Sequence, residues 1–207
     1  LAVVSVLGPV QTLWVYDFAR RTLTPLTPPN VGSSQAPVWS PDSTRVAYRG
    51  TRKGFRNLFV RSVDSSDDEV RLSTGENLQT PSSWTPDGRS LVYIEVLPDT
   101  ASDVFVLPLD GGTPSALIRT PASERSPSVS PDGRWLSYSS NESGAEEVYV
   151  RPFAGAGAKL QVSTDGGGES TWSRQGLRLI YRNKDQILAA RIVTEPRLSA
   201  EPSVELL

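Results

Sequence analysis

The chain alternates apolar and polar residues over short stretches, and this pattern recurs along its length. Four segments share the pattern and end in Tyr: WSPDSTRVAY from Trp39, WTPDGRSLVY from Trp84, VSPDGRWLSY from Val129 and WSRQGLRLIY from Trp172. Their first residues are 45, 45 and 43 positions apart. Alternation rich in β-branched and aromatic residues predicts a β-strand in each segment.

Two further strand-like elements follow these segments. The first comprises NLFVRSVD at 57–64, DVFVLPLDGG at 103–112, EVYVRPFAG at 147–155 and, more weakly, QILAARIV at 186–193. The second ends in Ser or Thr, as EVRLST at 69–74, SALIRT at 115–120 and KLQVST at 159–164. Before Trp39, segments at 1–8, 12–18 and 22–27 repeat the second half of the pattern. We therefore predict four complete four-stranded units and one that lacks its opening strand.

Three of the units carry a Pro-Asp turn at the same position. Proline presets φ for the second position of a turn, and aspartate bonds to nearby backbone amides. The repeated Asp42, Asp87 and Asp132 lie one in each unit. A catalytic pair of carboxylates must face each other within about 5–10 Å. We therefore interpret these aspartates as turn formers.

Four-stranded units repeated at this period are typical of a β-propeller. We predict an all-β fold of four-stranded antiparallel blades in a single domain over 1–207. Its five blade units, the first without its inner strand, span approximately 1–28, 35–74, 80–120, 125–164 and 168–207. The incomplete first unit predicts that roughly one blade is missing upstream. The terminal SVELL at 203–207 is interpreted as the last outer strand.

The Pro-Asp turns and the Tyr-ended strands after them resemble the repeat of TolB-type propellers, whose blades carry a Trp-Ser-Pro-Asp-Gly turn followed by Leu-Ala-Tyr. The same repeat occurs in propellers fused to bacterial serine/threonine kinases and to prolyl-oligopeptidase-family enzymes. The resemblance covers essentially the whole chain. Because propellers of this family usually have six or more blades, the resemblance implies that the chain is part of a six-bladed ring that acts through protein partners. It also implies a periplasmic or otherwise extracytoplasmic location.

Composition excludes several classes of function. The chain has 207 residues with 21 basic and 23 acidic side chains, and the resulting net charge of −2 argues against a general nucleic-acid binder. It has no Cys and no His, so it cannot itself form a disulfide, a Ser-His-Asp triad or a His/Cys zinc site. No apolar stretch is long enough to span a membrane. Because the chain begins with Leu, we interpret it as a piece of something longer or as a processed product.

The loops that join blades, and those between second and third strands, form the predicted partner face. Positions just before the repeated segments vary from blade to blade, which is where specificity is expected: Gln35, Thr80, Glu124, Arg125 and Glu169. A cationic loop carries Arg49, Arg52, Lys53 and Arg56. It is interpreted either as a grip for phosphate, carboxylate or an acidic segment, or as a solvated hairpin tip. The predicted partner-face residues are therefore Gln35, Arg52, Lys53, Arg56, Glu124, Arg125 and Glu169.

Two other segments have candidate chemistry. The acidic residues Asp64, Asp67, Asp68 and Glu69 are expected on the opposite face, as a calcium site or a solvated loop. The glycine-rich DGGGES at 165–170 lacks the Lys-Ser/Thr of a phosphate loop and leads into a strand, so it is interpreted as a connector between blades.

Three functions fit the sequence. The first is a non-catalytic module that binds a protein, a peptide or a small ligand, without catalytic residues or a cofactor. The second is an accessory propeller of a larger kinase or peptidase. The third is a carboxylate- or calcium-dependent hydrolase, such as a lactonase or glycosidase, which would need Glu124 and Glu169 to converge. A homo-oligomer formed through the terminal blades is a further expectation.

Overall fold

Every regular element that the structure describes is a β-strand, and the strands form separate antiparallel sheets. The computed structural model describes residues 2–6, 10–64, 68–155, 157–176 and 178–207. Within these residues no helix is long and apolar enough to cross a membrane. The chain divides into two compact units, residues 1–81 (unit 1) and residues 82–207 (unit 2).

Unit 1 begins with a three-stranded sheet of order β1-β2-β3, formed by β1 (Ala2–Val6), β2 (Thr12–Asp17) and β3 (Thr22–Pro25). This confirms that three strands precede the first repeat; residues 1 and 7–9 lie outside the described part of the chain.

The second sheet has four strands in the order β4-β5-β6-β7. They are β4 (Ser34–Trp39), β5 (Arg45–Arg52), β6 (Phe55–Ser62) and β7 (Val70–Arg71). The sheet follows the predicted four-strand pattern of one complete unit.

The third and fourth sheets repeat this order. The third comprises β8 (Gln79–Trp84), β9 (Ser90–Leu97), β10 (Ala101–Pro108) and β11 (Ser115–Ile118), and the boundary between the two units falls within β8. The fourth comprises β12 (Glu124–Val129), β13 (Trp135–Ser140), β14 (Glu147–Pro152) and β15 (Leu160–Gln161).

The fifth sheet divides its outer position between two short strands. It contains β16 (Gly168–Trp172), β17 (Arg178–Asn183), β18 (Gln186–Val193), β19 (Ser199–Ala200) and β20 (Val204–Glu205). Both β19 and β20 pair with β18, through Ile192↔Ala200 and Leu188↔Glu205. The predicted outer strand at 203–207 therefore supplies only half of that edge.

The repeated tyrosines form the core of the sheets. Tyr48 stacks on Phe59 with ring centroids 5.9 Å apart, and the pairs Tyr93–Phe105 and Tyr138–Tyr149 stack at 5.6 Å. Each pair sits directly across two neighbouring strands, where side chains share one face of the sheet. The four repeat tyrosines are buried, so their recurrence reflects packing.

The Pro-Asp turns have the geometry that their sequence predicts. The Asp42 carboxylate accepts hydrogen bonds from the Ser40 hydroxyl and from the Thr44 backbone N–H. Asp87 and Asp132 accept the matching bonds in their own turns. The Ser40 hydrogen bond, with those from Thr44, lowers the pKa of Asp42 to about 2. These contacts support the interpretation of the repeated aspartates as turn formers.

The antiparallel order places the loops at two ends of each sheet. The Pro-Asp turns occupy one end, which we call the turn end. The hairpin between the second and third strands and the entry to the first strand occupy the other, which we call the hairpin end. In the second sheet, for example, Ser34 at the start of β4 pairs with Gly50 near the β5–β6 hairpin.

Candidate functional site

The predicted partner-face residues all lie near hairpin ends, but the structure places them in different surroundings. Four belong to the second sheet of unit 1, namely Gln35, Arg52, Lys53 and Arg56. Three belong to unit 2, namely Glu124, Arg125 and Glu169.

Arg52 is a structural clamp within unit 1. Its guanidinium donates two hydrogen bonds to the Glu69 carboxylate, at 2.7 and 2.6 Å. It also donates to the backbone carbonyls of Gly32 and Ser33, at 3.3 and 3.1 Å, and lies 4.9 Å from the Phe59 ring centroid. Only 13% of its side chain is exposed. Its donors are thus largely occupied inside the protein.

The absence of a side chain at Gly50 makes room for the Arg52 guanidinium. Gly50 lies on the same face of β5 as Tyr48 and Arg52, since these residues are two apart. A Cβ at Gly50 would approach the Phe59 ring to 2.6 Å and the Arg52 Nη1 to 3.2 Å. The alternation of Tyr48, Gly50 and Arg52 is the sequence signal that could have revealed the clamp.

The acidic loop begins at the turn end, as expected, where the Val63 N–H donates to the Thr44 carbonyl, but Glu69 nevertheless contacts Arg52 of the cationic loop. The Glu69 carboxylate accepts from the Tyr48 hydroxyl at 2.6 Å as well as from Arg52. Burial tends to raise the pKa of Glu69, but the hydrogen bonds from Arg52 and Tyr48 outweigh it and lower that pKa. Asp67 lies outside the described residues.

The opposite face of the same hairpin carries two further arginines, Arg49 and Arg56, which are not held by Glu69. The register pairs Gly50 with Asn57 and Thr51 with Arg56, so Arg49 and Arg56 share one face of the sheet and Arg52 lies on the other. Lys53 is exposed at the hairpin tip, where φ is 50° and Gly54 follows with φ of 87°. Two neighbouring residues therefore have opposite roles, Arg52 within the fold and Lys53 on the surface.

Among the residues that the structure describes, Arg49 has only neutral hydrogen-bond partners. Its guanidinium is half-buried and donates to the Gln35 side-chain oxygen and to the Thr80 hydroxyl, the latter at 3.0 Å. Burial, together with the nearby Arg56 charge, lowers the pKa of Arg49. Within the described part of unit 1, neither Arg49, Lys53 nor Arg56 forms an ion pair. We call Gln35, Arg49, Lys53, Arg56 and Thr80 the cationic surface.

In unit 2, the predicted residues Glu124 and Arg125 are neighbours in sequence, but their side chains lie in different environments. Arg125 is exposed and donates from Nε to the Ser123 hydroxyl at 3.2 Å. Glu124 is fully buried and accepts from the Thr120 hydroxyl at 2.6 Å. Burial and the charges of nearby carboxylates raise the pKa of Glu124 despite the Thr120 hydrogen bond. Glu124 therefore lies inside unit 2.

Glu169 lies beside a cavity at the hairpin end of the fifth sheet. The cavity has a volume of about 400 Å³ and is lined by Glu146, 165–169 and 182–184. The exposed Glu169 carboxylate lies 3.6 Å from the Arg182 guanidinium. The glycine-rich segment enters β16 directly, as expected for a connector, and a Cβ at Gly167 would approach the Ser163 hydroxyl to 2.7 Å. The cavity thus mixes charges of both signs.

The hydrolase hypothesis requires Glu124 and Glu169 to act on one ligand. Glu124 is enclosed next to Thr120, whereas Glu169 is exposed next to Arg182. Among the residues that the structure describes, no group of three or more Asp, Glu, His or Cys side chains is arranged to hold a metal ion.

The sheets, their order and their shared Tyr and Asp positions define the chain as a β-propeller protein. Residues 37–202 match the TolB beta propeller domain, and the chain belongs to that family. This confirms the family and the fold class that the repeat predicts.

Curated relatives match part of the chain. An uncharacterized protein of Agrobacterium fabrum is 30% identical over 110 residues, covering 53% of this chain and 37% of the relative. The uncharacterized peptidase YuxL of Bacillus subtilis is 28% identical over 103 residues, covering 47% and 16%. The Tol-Pal system protein TolB of Bordetella pertussis is 25% identical over 160 residues, covering 56% and 36%. The chain therefore spans well under half the length of each of these relatives.

Solved structures share the fold. The putative TolB from Agrobacterium tumefaciens superposes with a TM-score of 0.75 at 16% identity, covering 94% of this chain and 74% of that one. TolB from Acinetobacter baumannii gives 0.75 at 15% identity, covering 92% and 48%. An oligogalacturonate lyase in complex with manganese gives 0.70 at 16% identity, covering 94% and 59%. These likenesses concern the fold alone.

Proposed function

We propose that this chain is a non-catalytic binding module whose cationic surface recognises an acidic segment of a partner protein. The observation that carries the proposal is the state of Arg49, a half-buried guanidinium with only neutral acceptors and a second arginine nearby. A carboxylate placed between Arg49 and Arg56 would offset both charges. Hydrogen bonds between guanidinium and carboxylate are among the strongest that side chains make.

In this proposal, one hairpin carries a cation that stabilises the fold and other cations that contact the partner. Arg52 is held by Glu69 on one face, so the hairpin is fixed from within the protein. Arg49 and Arg56 occupy the other face, and Lys53 the tip, where a partner can reach them. Side chains mounted on a rigid hairpin lose less entropy on binding than those on a mobile loop.

Several features support a role without catalysis. The chain has no His or Cys to act as base or nucleophile. The repeated Asp42, Asp87 and Asp132 are engaged within separate turns. Among the relatives, TolB of Bordetella pertussis is named as a component of the Tol-Pal system, which supports a role in protein assembly.

The alternative is an accessory propeller within a larger peptidase. It is favoured by the peptidase YuxL, of which this chain covers 16%, and by a prolyl endopeptidase structure with a TM-score of 0.58, of which it covers 33%. Under this alternative the 207-residue chain would bind no free acidic peptide, and charge reversal at the hairpin would change peptide cleavage by the longer protein.

The binding proposal is tested by fluorescence anisotropy with a labelled peptide of ten glutamates. The wild-type chain should bind it, whereas a peptide of ten lysines should not bind. The double variant Lys53→Glu/Arg56→Glu should lose affinity by about tenfold or more because like charges then face the peptide. Arg174→Glu, which reverses an exposed charge at the turn end of the fifth sheet, is the matched control and should bind as wild type. Equal affinities for all three proteins would refute the proposal.

A further inference from the structure

Unit 2 encloses two carboxylates, each of which has one oxygen without a hydrogen-bond donor. Asp103 on β10 and Glu124 at the start of β12 are both completely buried. Asp103 Oδ2 accepts from the Thr100 hydroxyl, and Glu124 Oε1 accepts from the Thr120 hydroxyl. The other oxygen of each carboxylate, Asp103 Oδ1 and Glu124 Oε2, is buried without a hydrogen-bond partner. Buried carboxylate oxygens normally have partners.

The same positions elsewhere in the repeat show that the fold does not require this charge. In unit 1 the matching residues are Asn57, the third residue of β6, and Gln79, the first of β8. Asn57 Nδ2 donates to the Gln79 side-chain oxygen at 3.3 Å and to the Gly75 carbonyl at 2.7 Å. Two neutral amides thus fill the positions that Asp103 and Glu124 occupy in unit 2.

The next copy of the repeat has one carboxylate at these two positions, and both of its oxygens accept hydrogen bonds. Glu147, at the start of β14, accepts from the Ser163 hydroxyl and from the Gly166 backbone N–H at 3.0 Å. Its partner position at the start of β16 is Gly168. Among the described copies of the repeat, only Asp103 and Glu124 combine two carboxylates.

Nearby cations do not neutralise the pair. Arg119 Nε lies 4.0 Å from Asp103 Oδ2, but the Arg119 side chain is 50% exposed and pairs with Asp99 at 2.8 Å. Glu142 adds negative charge near Glu124 and is itself paired with Lys159. Buried charge of this kind calls for a positive species close to the unpartnered oxygens.

We propose that Asp103 and Glu124 bind a divalent cation of the calcium class through these two unpartnered oxygens. Calcium takes oxygen ligands in flexible number, and hydroxyl and carbonyl oxygens complete many of its sites. Such oxygens are close by: the Ser140 hydroxyl lies 3.5 Å from Glu124 Oε1, and the Ser102 hydroxyl bonds to the Glu124 carbonyl. Magnesium retains its waters more strongly and fits an enclosed pair less well. The cation would link β10 to β12 and stabilise unit 2.

The test compares thermal unfolding of the full chain with and without calcium, after treatment with a chelator. Calcium at one hundred times its Kd should raise the Tm by about 5–10 °C for a protein of this size. The variant Asp103→Asn/Glu124→Gln copies the amide pair of unit 1 and should lose the response to calcium. Asp185→Asn, which removes an exposed carboxylate, is the control and should keep it.

Calorimetric titration of wild-type protein with calcium chloride provides a readout that does not depend on a variant folding. One calcium ion per chain, with weaker binding of magnesium, is the expected result. No binding heat and no Tm shift with calcium would overturn the proposal. It would equally be overturned if acidification from pH 7 to 5 stabilised the protein without any calcium response, because a proton would then compensate the pair.

Discussion

The Arg52–Glu69 ion pair should be a major source of stability in unit 1. Arg52→Met keeps the length of the side chain but leaves the Glu69 carboxylate with the Tyr48 hydroxyl alone, and removes donors from the carbonyls of Gly32 and Ser33. Breaking a buried pair costs about 3–5 kcal/mol, and a hydrogen bond to a charged group contributes about 1.5–3 kcal/mol.

The two side chains are 13% and 19% exposed, so some water screens the pair. We therefore expect Arg52→Met to cost about 3 kcal/mol, the lower end of the range for buried pairs. Glu69→Gln should cost about 2 kcal/mol, because its amide can still accept one hydrogen bond. The double variant should cost less than the sum, with a coupling energy of about 1.5 kcal/mol.

Urea unfolding followed by circular dichroism at pH 7 measures all four proteins of this double-mutant cycle. Arg174→Met, at an exposed turn-end position, is the control and should change the free energy of unfolding by less than about 0.5 kcal/mol. A cost below about 0.5 kcal/mol for Arg52→Met, with no coupling to Glu69→Gln, would refute the reasoning. Arg52 would then be available to bind a partner, as proposed for the cations of the cationic surface.

Three other predictions follow from local geometry and charge. Ser43 has φ of 60° where the three other copies of the turn have glycine, so Ser43→Gly should raise the free energy of unfolding by about 0.5–1 kcal/mol in urea, and Gly133→Ser should lower it by a similar amount. The pKa of Glu69 is lowered in the folded state, so its stabilisation is present above the ordinary pKa of Glu and is lost as the pH falls below it. Unfolding measured between pH 7 and 3 should thus be less pH-dependent in Glu69→Gln, and an unchanged profile would contradict the assignment. Binding of the glutamate peptide should weaken as sodium chloride rises from 50 to 300 mM, with a smaller salt dependence in Arg49→Gln; affinity independent of salt would argue against an electrostatic interface.

The fold was predictable because its signals are local and repeated. The Pro-Asp turn, the alternation before each Tyr and the spacing of the copies each describe a few neighbouring residues. Even the three-stranded first sheet, which precedes the first Tyr-ended segment, follows from alternation at 12–18 and 22–27. The divided outer edge of β18 was missed because β19 and β20 are two residues each, too short for alternation to register.

The candidate site was less predictable because its contacts join residues far apart in the chain. Arg52 and Lys53 are adjacent in sequence and equally cationic, yet the hairpin buries one against Glu69 and exposes the other. Glu124 and Arg125 separate in the same way. Asp103 was missed altogether, although its repeat position also carries Asn57 and Glu147, and comparing these polar positions would have identified it.

The most direct test of the central claim is to map peptide binding by ¹H–¹⁵N nuclear magnetic resonance. Titration of the labelled 207-residue chain with the glutamate peptide should shift amide signals at 33–36 and 49–57, around the cationic surface. Signals at the turn ends, 40–44 and 85–89, should stay in place. Shifts confined to the cavity at 165–169 and 182–184, or no shifts at millimolar peptide, would contradict the account.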